Sequence, residues 1–370
     1  MTIVEVHGRA ICHWYILYMV GDTSHNRIYQ KGSIIIKQET ALKPVFPAKL
    51  IENRLRQVAS TGNPRVDSII NYLLAGSGKM LRPRLVYHTA ALSEHDDIVV
   101  RDIAVAVELI HLASLVHDDI IDNSLLRRGR ESLNAHSGNS ASVLAGDFLF
   151  ASAFQLINRH RQSLVMEDIT RTIKVMCSGE IIQMGLAYDV NVGLDEYYDR
   201  IYRKTACLFA SSCKIGALVS QAESQQIKKL EQFGLCLGYA YQIIDDVMDL
   251  VADSALLGKP VGNDLTQGNI TLPLILAMKN EQHGPRVRDL LEQRSSIAAS
   301  LGEIINLVIV SGCIGEAIEH AAAFLERGLE HLQEIPPGDS LEELKCTCLS
   351  FIETYRPVLE RYHPLMERQA

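Results

Sequence analysis

The sequence predicts an all-α fold, a single large helical bundle, and three observations predict it. Apolar residues recur with the helical period from Pro47 onward, in segments long enough to cross a core. Clusters of Pro, Gly and polar residues separate those segments. Strand signals are nearly absent after residue 43. At 370 residues, 47% of them apolar, the chain exceeds the usual single-domain size but can bury one sizeable core.

Residues 1–43 read as an N-terminal extension and 44–370 as the helical domain. In the extension, "ICHWYILYMVG" is apolar for only about ten residues and "GSIIIKQ" is strand-like. It fits an uninformative extension, a packed arm or a targeting signal, although "GDTSHN" makes a poor cleavage site. Beyond it, "DIAVAVELIHLASLVHDDIID" (102–122) is apolar or small on nearly every face, as a buried bundle helix should be. Similar patterns run over 141–157, 166–187, 195–220, 225–251 and 272–278. Breaks fall at "STGNP" (60–64), "NRHRQS" (158–163) and "GKPVGNDLTQGN" (258–269).

The net charge of -8 argues against a general nucleic-acid surface, which needs a basic face to displace counterions. Eight cysteines, at 12, 177, 207, 213, 236, 313, 346 and 348, form no CxxC pair and read as reduced thiols of a cytoplasmic protein. No uninterrupted apolar run reaches 18 residues, so no membrane span is expected.

The chemistry lies at the helix ends. Asp118, Asp119 and Asp122 close one apolar run, and Asp245, Asp246 and Asp249 repeat the spacing in "YQIIDDVMDL". Residues i, i+3 and i+4 share a helix face, so each triplet projects at least two carboxylates in one direction. One copy reads as a solvated helix end; two copies on apolar helices read as a site for Mg²⁺, a hard cation that keeps few protein oxygens and shares the rest with phosphate. Neither triplet has EF-hand spacing. Arg127, Arg128 and Arg130 follow the first triplet, and "GSGKMLRPRL" supplies Lys79 and Arg82, whose planar fork suits phosphate. That stretch is no P-loop, because Leu73 stands where the first glycine belongs and Met80 follows the lysine. His111 and His117 share the helix of the first triplet, each as readily a core histidine as a ligand. Acids would hold metal, and bases would hold phosphate.

These residues lie in "GSGKMLRP", "ELIHLASLVHDDIIDNSLLRRGR", "LAGDFLF", "GE" (179–180), "RKTACLFASSC", "YQIIDDVMD" and "GKPVGNDLTQGNITLPLILA". In this order the motifs resemble the all-trans polyprenyl diphosphate synthases over about residues 48–365, and within them the catalytic subunit of bacterial heptaprenyl diphosphate synthases. The resemblance implies an isoprenoid-synthase bundle with a central cavity. It also implies Mg²⁺-dependent condensation of isopentenyl diphosphate with an allylic diphosphate, giving a polyprenyl chain for a quinone such as menaquinone. Asp118, Asp119, Asp122, Asp245 and Asp246 would bind Mg²⁺, with Asp249 in an outer position. Lys79, Arg82, His111 and Arg128 would hold isopentenyl diphosphate. Arg127, Lys204, Gln242 and Lys259 would hold the allylic diphosphate, with Thr205 near the developing cation.

One departure is Asn269, which stands where short-chain members usually have lysine. The growing chain would run from the metal site along the Asp118 helix. There Ala113 and Ser114 replace the aromatic residues of short-chain relatives, and Ile110 and Val107 lie deeper. Val107 is roughly 16 Å from Asp118 along a helix, so a long product is expected. The alternatives are a short-chain synthase making farnesyl or geranylgeranyl diphosphate, and a non-catalytic subunit, which would be expected to lack aspartates from one triplet. A homodimer or a heterodimer with a small regulatory subunit is expected, with peripheral membrane contact for product release.

Overall fold

The computed structural model describes residues 46–76, 78–252 and 261–362. Cys12, Lys259 and the whole 1–43 extension lie outside the described residues. Helices α1 (Ala48–Ala59) and α2 (Pro64–Leu74) turn at the 60–64 break. There the Asn63 side chain accepts from the amides of Arg65 and Val66, and Pro64 fills the first helical position, where an N–H is not needed. Helix α3 (Leu81–Ala90) leads to α4 (Asp97–Ile121), capped by Asp96 through the amides of Ile98 and Val99. A tight antiparallel hairpin, β1 (Leu126–Arg127) and β2 (Arg130–Glu131), follows α4.

Next come α5 (Leu133–Ser137), α6 (Asn139–Arg159), α7 (Ser163–Gly185) and α8 (Leu194–Ile201). A π-helical turn (Tyr202–Ala206) joins α8 to α9 (Cys207–Val219). The chain continues through α10 (Ser224–Val251), α11 (Asn263–Thr266), α12 (Leu272–Lys279) and α13 (Gly284–Glu292). After a 3₁₀ turn (Arg294–Ser296) it ends in α14 (Ile297–Val310), α15 (Cys313–Leu332) and α16 (Asp339–Tyr362). The all-α reading holds, but the single run expected over 195–220 is corrected to two helices around the π turn. Apolar periodicity misses this because a π turn is still helical: the Cys207 amide reaches back to the Tyr202 carbonyl, and the face shifts by one residue.

Two apolar clusters make up the interior. Helices α1, α2, α4 and α6 build one, and α10 with α12 to α15 builds the other. Helices α3 and α9 feed both: Val86 and Leu208 face the first cluster, Leu85 and Phe209 the second. The α9–α10 seam is too close for side chains at Gly234 and Gly238, where a Cβ would lie 2.6 Å from the Phe209 carbonyl oxygen and 2.5 Å from the Ala206 Cα. Far from the aspartates, buried Asp102 accepts from Arg54 at 2.8 and 3.0 Å and bonds His160 at 2.8 Å, tying α1, α4 and the end of α6. Helix α6 is long and apolar enough to cross a membrane by composition, but 44% of that stretch is buried within the protein.

His88 on α3 is fully buried, and neither ring nitrogen has a hydrogen-bond partner. Burial, and then Arg84, push its pKa down to about 4. The unfolded chain protonates this group near 6.5, so it binds more protons than the folded chain between those values. The stability concerned is complete above about pH 6.5 and is lost as pH falls toward 4, up to about 3 kcal/mol. The melting temperature of His88→Met should therefore fall less than that of the parent between pH 7 and 4.5, and equal falls would contradict this.

Candidate active site

The two aspartate triplets sit at the C-terminal ends of two long core helices. Asp118 and Asp119 occupy the last turn of α4, and Asp122 is its C-cap. Asp245, Asp246 and Asp249 lie in the last two turns of α10. The π turn brings Lys204 and Thr205 between them, with Glu180 of α7 3.8 Å from the Lys204 ammonium. Burial lifts the Asp118 carboxyl to about 7; Lys204 opposes the rise, and Glu180 and Asp122 add to it. Asp122 is raised for the same first reason, with Glu180 and Asp264 contributing. Burial also disfavours the Lys204 charge, but Glu180, Asp118, Asp122 and Asp264 outweigh it and hold the ammonium well above its usual range.

The six acids do not all turn to one point. Asp119 is 3% exposed and takes Arg127 in a close ion pair, with Nε at 2.8 Å from both oxygens. Asp246 accepts from the Tyr197 hydroxyl and the Gln242 amide, each at 2.8 Å, and burial followed by Asp264 raises it to about 7. Asp249 accepts from the Asp264 backbone N–H at 3.1 Å. Among the described residues no three acids, histidines or cysteines enclose a point suited to an ion. The donor set still fits a hard divalent cation. Carboxylates raised by burial and acidic neighbours would be relieved by one, and its remaining ligands would come from phosphate and water, as suits Mg²⁺.

The β1–β2 hairpin sorts the arginines. Arg127 points back to Asp119, whereas Arg128, at a left-handed φ of 52°, donates to the Gly76 carbonyl at 2.6 Å. Tyr72 of α2 anchors the hairpin: its hydroxyl donates to the Glu131 carbonyl at 2.9 Å, its ring stacks on His136 at 3.9 Å, and Arg130 lies over it at 5.0 Å. Arg82 is 9% exposed, lies 4.6 Å over the Phe209 ring and bonds His111 Nε2 at 3.1 Å. A guanidinium can only donate, so His111 accepts at Nε2 and carries its proton on Nδ1. Burial, and then Arg82, hold His111 neutral. Lys79 is exposed at the loop before α3.

Arg82, His111 and Arg128 act electrostatically on one another, and Arg128 reaches the loop of Gly76 and Gly78 that precedes Lys79. Asp118, Asp122, Glu180 and Asp264 act on Lys204, and hydrogen bonds join Thr205, Gln242 and Asp246. His117 turns away toward α6, 3.7 Å from Asp147. Val107, Ile110 and Ala113 are fully buried in the first apolar cluster, and Ser114 is half-buried with its hydroxyl donating to the His111 carbonyl. Asn269 donates its backbone N–H to the Asp264 carbonyl. Sequence reasoning assigned no role to Glu180, Tyr197, Tyr72 or Asp264. Glu180 and Asp264 stood inside quoted motifs, but nothing local marks the two tyrosines.

Gly78 leaves room for the Arg128 guanidinium, since a Cβ there would lie 2.6 Å from it. Gly78→Ala should therefore displace Arg128 and weaken inorganic pyrophosphate binding several-fold, on the order of one lost charged hydrogen bond. Gly185→Ala, which meets open space, serves as the control. Calorimetry showing equal affinity in the two variants would refute the cradle.

Comparison with known proteins places this geometry. The family model described as Polyprenyl synthetase matches residues 63–308. Solanesyl diphosphate synthase 2 of Arabidopsis thaliana, a chloroplastic protein, is 38% identical over 292 residues, covering 77% of this chain and 69% of that one. Heptaprenyl diphosphate synthase component 2 of Bacillus subtilis is 34% identical over 297 residues, covering 80% and 84%. The crystal structure of a Caulobacter crescentus polyprenyl synthase, complexed with calcium and isoprenyl diphosphate, superposes with a TM-score of 0.77 at 31% identity, covering 82% of this chain and 94% of that one. The helical bundle, the paired acid triplets and these matches agree: the chain belongs to the polyprenyl synthetase family and is a prenyltransferase with the all-α isoprenoid synthase fold.

Proposed function

We propose that the protein condenses isopentenyl diphosphate with an allylic diphosphate into a long-chain all-trans polyprenyl diphosphate. The observation that carries this reading is the pair of acid triplets ending α4 and α10, with Lys204 held by acidic neighbours and a basic cluster of Arg82 and Arg128 around neutral His111, which suits diphosphate and its counterions. The Caulobacter relative's complex with calcium and isoprenyl diphosphate supports it. Asp118, Asp119, Asp122, Asp245 and Asp246 would hold Mg²⁺, with Asp249 in an outer position, and the bound ion would neutralise charge on the leaving diphosphate. Arg82, neutral His111, Lys79 and Arg128 would hold isopentenyl diphosphate. Lys204, Gln242, Lys259 and Arg127, the last exchanging Asp119 for phosphate, would hold the allylic partner. The allylic carbon–oxygen bond breaks with its electron pair on the diphosphate. The double bond of isopentenyl diphosphate attacks the cation, and a proton passes to the departing diphosphate as a new double bond forms.

The small residues Ala113 and Ser114 support a long product. Similarity to the Bacillus subtilis heptaprenyl synthase component supports a heptaprenyl chain for a quinone, and its designation as component 2 supports a second subunit. Exposed Leu144 on α6 and Ile181 and Met184 on α7, between 65 and 72% accessible, supply apolar surface for a homodimer or such a heterodimer. The unbridged thiols Cys177, Cys207, Cys236 and Cys313 suit a cytoplasmic enzyme that meets the membrane only peripherally to release product.

Incubation with Mg²⁺, radiolabelled isopentenyl diphosphate and each allylic primer, with product lengths resolved by chromatography, tests the function. Asp118→Ala should lower turnover by roughly 10² to 10³ while the protein stays folded, and EDTA should abolish it. Full activity in EDTA would refute the metal reading. Ala113→Phe should shorten the product sharply while sparing the first condensation; an unchanged product distribution would remove Ala113 from the chain's path.

A further inference from the structure

The loop of residues 262–270 lies against the second acid triplet and is held there from outside. The Gly262 N–H donates to the Asp249 carbonyl at 2.7 Å, and the Asp264 N–H to Asp249 Oδ2 at 3.1 Å. The Asn269 N–H donates to the Asp264 carbonyl at 2.8 Å, so the loop folds back around Asp264, whose carboxylate acts on Lys204. Arg200 of α8 takes the far end through the Ile270 carbonyl at 2.6 Å. The middle is taken by Tyr188, in the connection between α7 and α8. Its hydroxyl donates to the Thr266 carbonyl at 2.6 Å, and its backbone N–H to the Gly268 carbonyl at 2.8 Å. Its ring lies against Gly268, where a Cβ would fall 2.7 Å from two ring carbons and where the φ of 88° already favours glycine.

Tyr188 itself stands at a φ of 62°, a left-handed conformation that a residue with a Cβ keeps where its surroundings hold it. Two arginines do so. Arg294 lies 5.7 Å from the ring centroid and donates to the Tyr188 carbonyl at 3.4 Å, and Arg288 of α13 donates to the Val190 carbonyl at 3.1 Å. The connection is pinned to α13 and the 3₁₀ turn, and it pins the loop in turn. We propose that Tyr188 is a positioning residue: by clasping Thr266 and Gly268 it sets Asp264 against Asp249, on the side of the site assigned to the allylic diphosphate. This rests on the function proposed above and adds to it a residue that acts through the loop. A carboxylate held there favours the cations that accompany a diphosphate. The basic cluster of Arg82, His111 and Arg128 is built from α3, α4 and the hairpin, so the clasp leaves it in place.

Binding to the full chain in Mg²⁺ tests this, read as the Kd of an unreactive allylic thiolodiphosphate and, separately, of isopentenyl diphosphate alone. Tyr188→Phe should raise the allylic Kd roughly fivefold, the scale of one hydrogen bond, with the isopentenyl Kd within about twofold of the parent. Arg294→Gln loosens Tyr188 from behind; it should shift the same affinity in the same direction, and it serves where Tyr188→Phe does not fold. In an Asp264→Asn background, Tyr188→Phe should leave the allylic Kd within about twofold, because Tyr188 acts through that carboxylate. An unchanged allylic Kd in Tyr188→Phe, equal losses in both affinities, or the full loss repeated in the Asp264→Asn background would overturn the inference. If the parent protein elongates no primer at all, the proposed function itself fails; if it elongates normally while Tyr188→Phe binds the allylic analogue as the parent does, only this inference does.

Discussion

Buried like charge is the constraint that shapes this molecule. Carboxylates from α4, α7 and the short α11 act on Lys204, which holds its charge in their field against the cost of burial. Asp118 and Asp246 are both raised to about 7, first by burial and then by acidic neighbours. Structures keep such an imbalance where a ligand settles it, because leaving buried charge uncompensated costs stability that packing must supply.

The surrounding fold serves that imbalance. Glycines at 234 and 238 let α9 lie against α10, which sets the π turn beside Gln242 and carries Lys204 and Thr205 to the acids. The hairpin after α4 is short enough to separate consecutive arginines, one toward Asp119 and one toward the Gly76 to Lys79 loop. Tyr72 of α2 fixes that separation by holding the hairpin at the Glu131 carbonyl.

Much of this was legible in the sequence, for physical reasons. A buried helix must repeat its apolar residues at 3.6, and the break expected at 60–64 falls where Asn63 caps a helix that Pro64 opens. Six aspartates at i, i+1 and i+4 cannot serve a core, so they pointed to cations. The π turn was hidden because one inserted residue scarcely disturbs an apolar pattern. Tyr197 and Tyr72 were hidden because a buried tyrosine looks the same in sequence whether its hydroxyl meets a catalytic carboxylate or a carbonyl. The pairing of Asp119 with Arg127 was equally invisible, since Arg127 lies eight positions on, in a strand outside the helix that carries Asp119.

The central claim is that acids and bases here are balanced only by metal and diphosphate together. Calorimetric titration of inorganic pyrophosphate with and without Mg²⁺, corrected for the complex the two form in solution, measures that coupling directly. Mg²⁺ should tighten pyrophosphate binding at least tenfold, and pyrophosphate should tighten Mg²⁺ binding by the same factor, because linkage is reciprocal. Equal pyrophosphate affinity in Mg²⁺ and in EDTA would contradict the account.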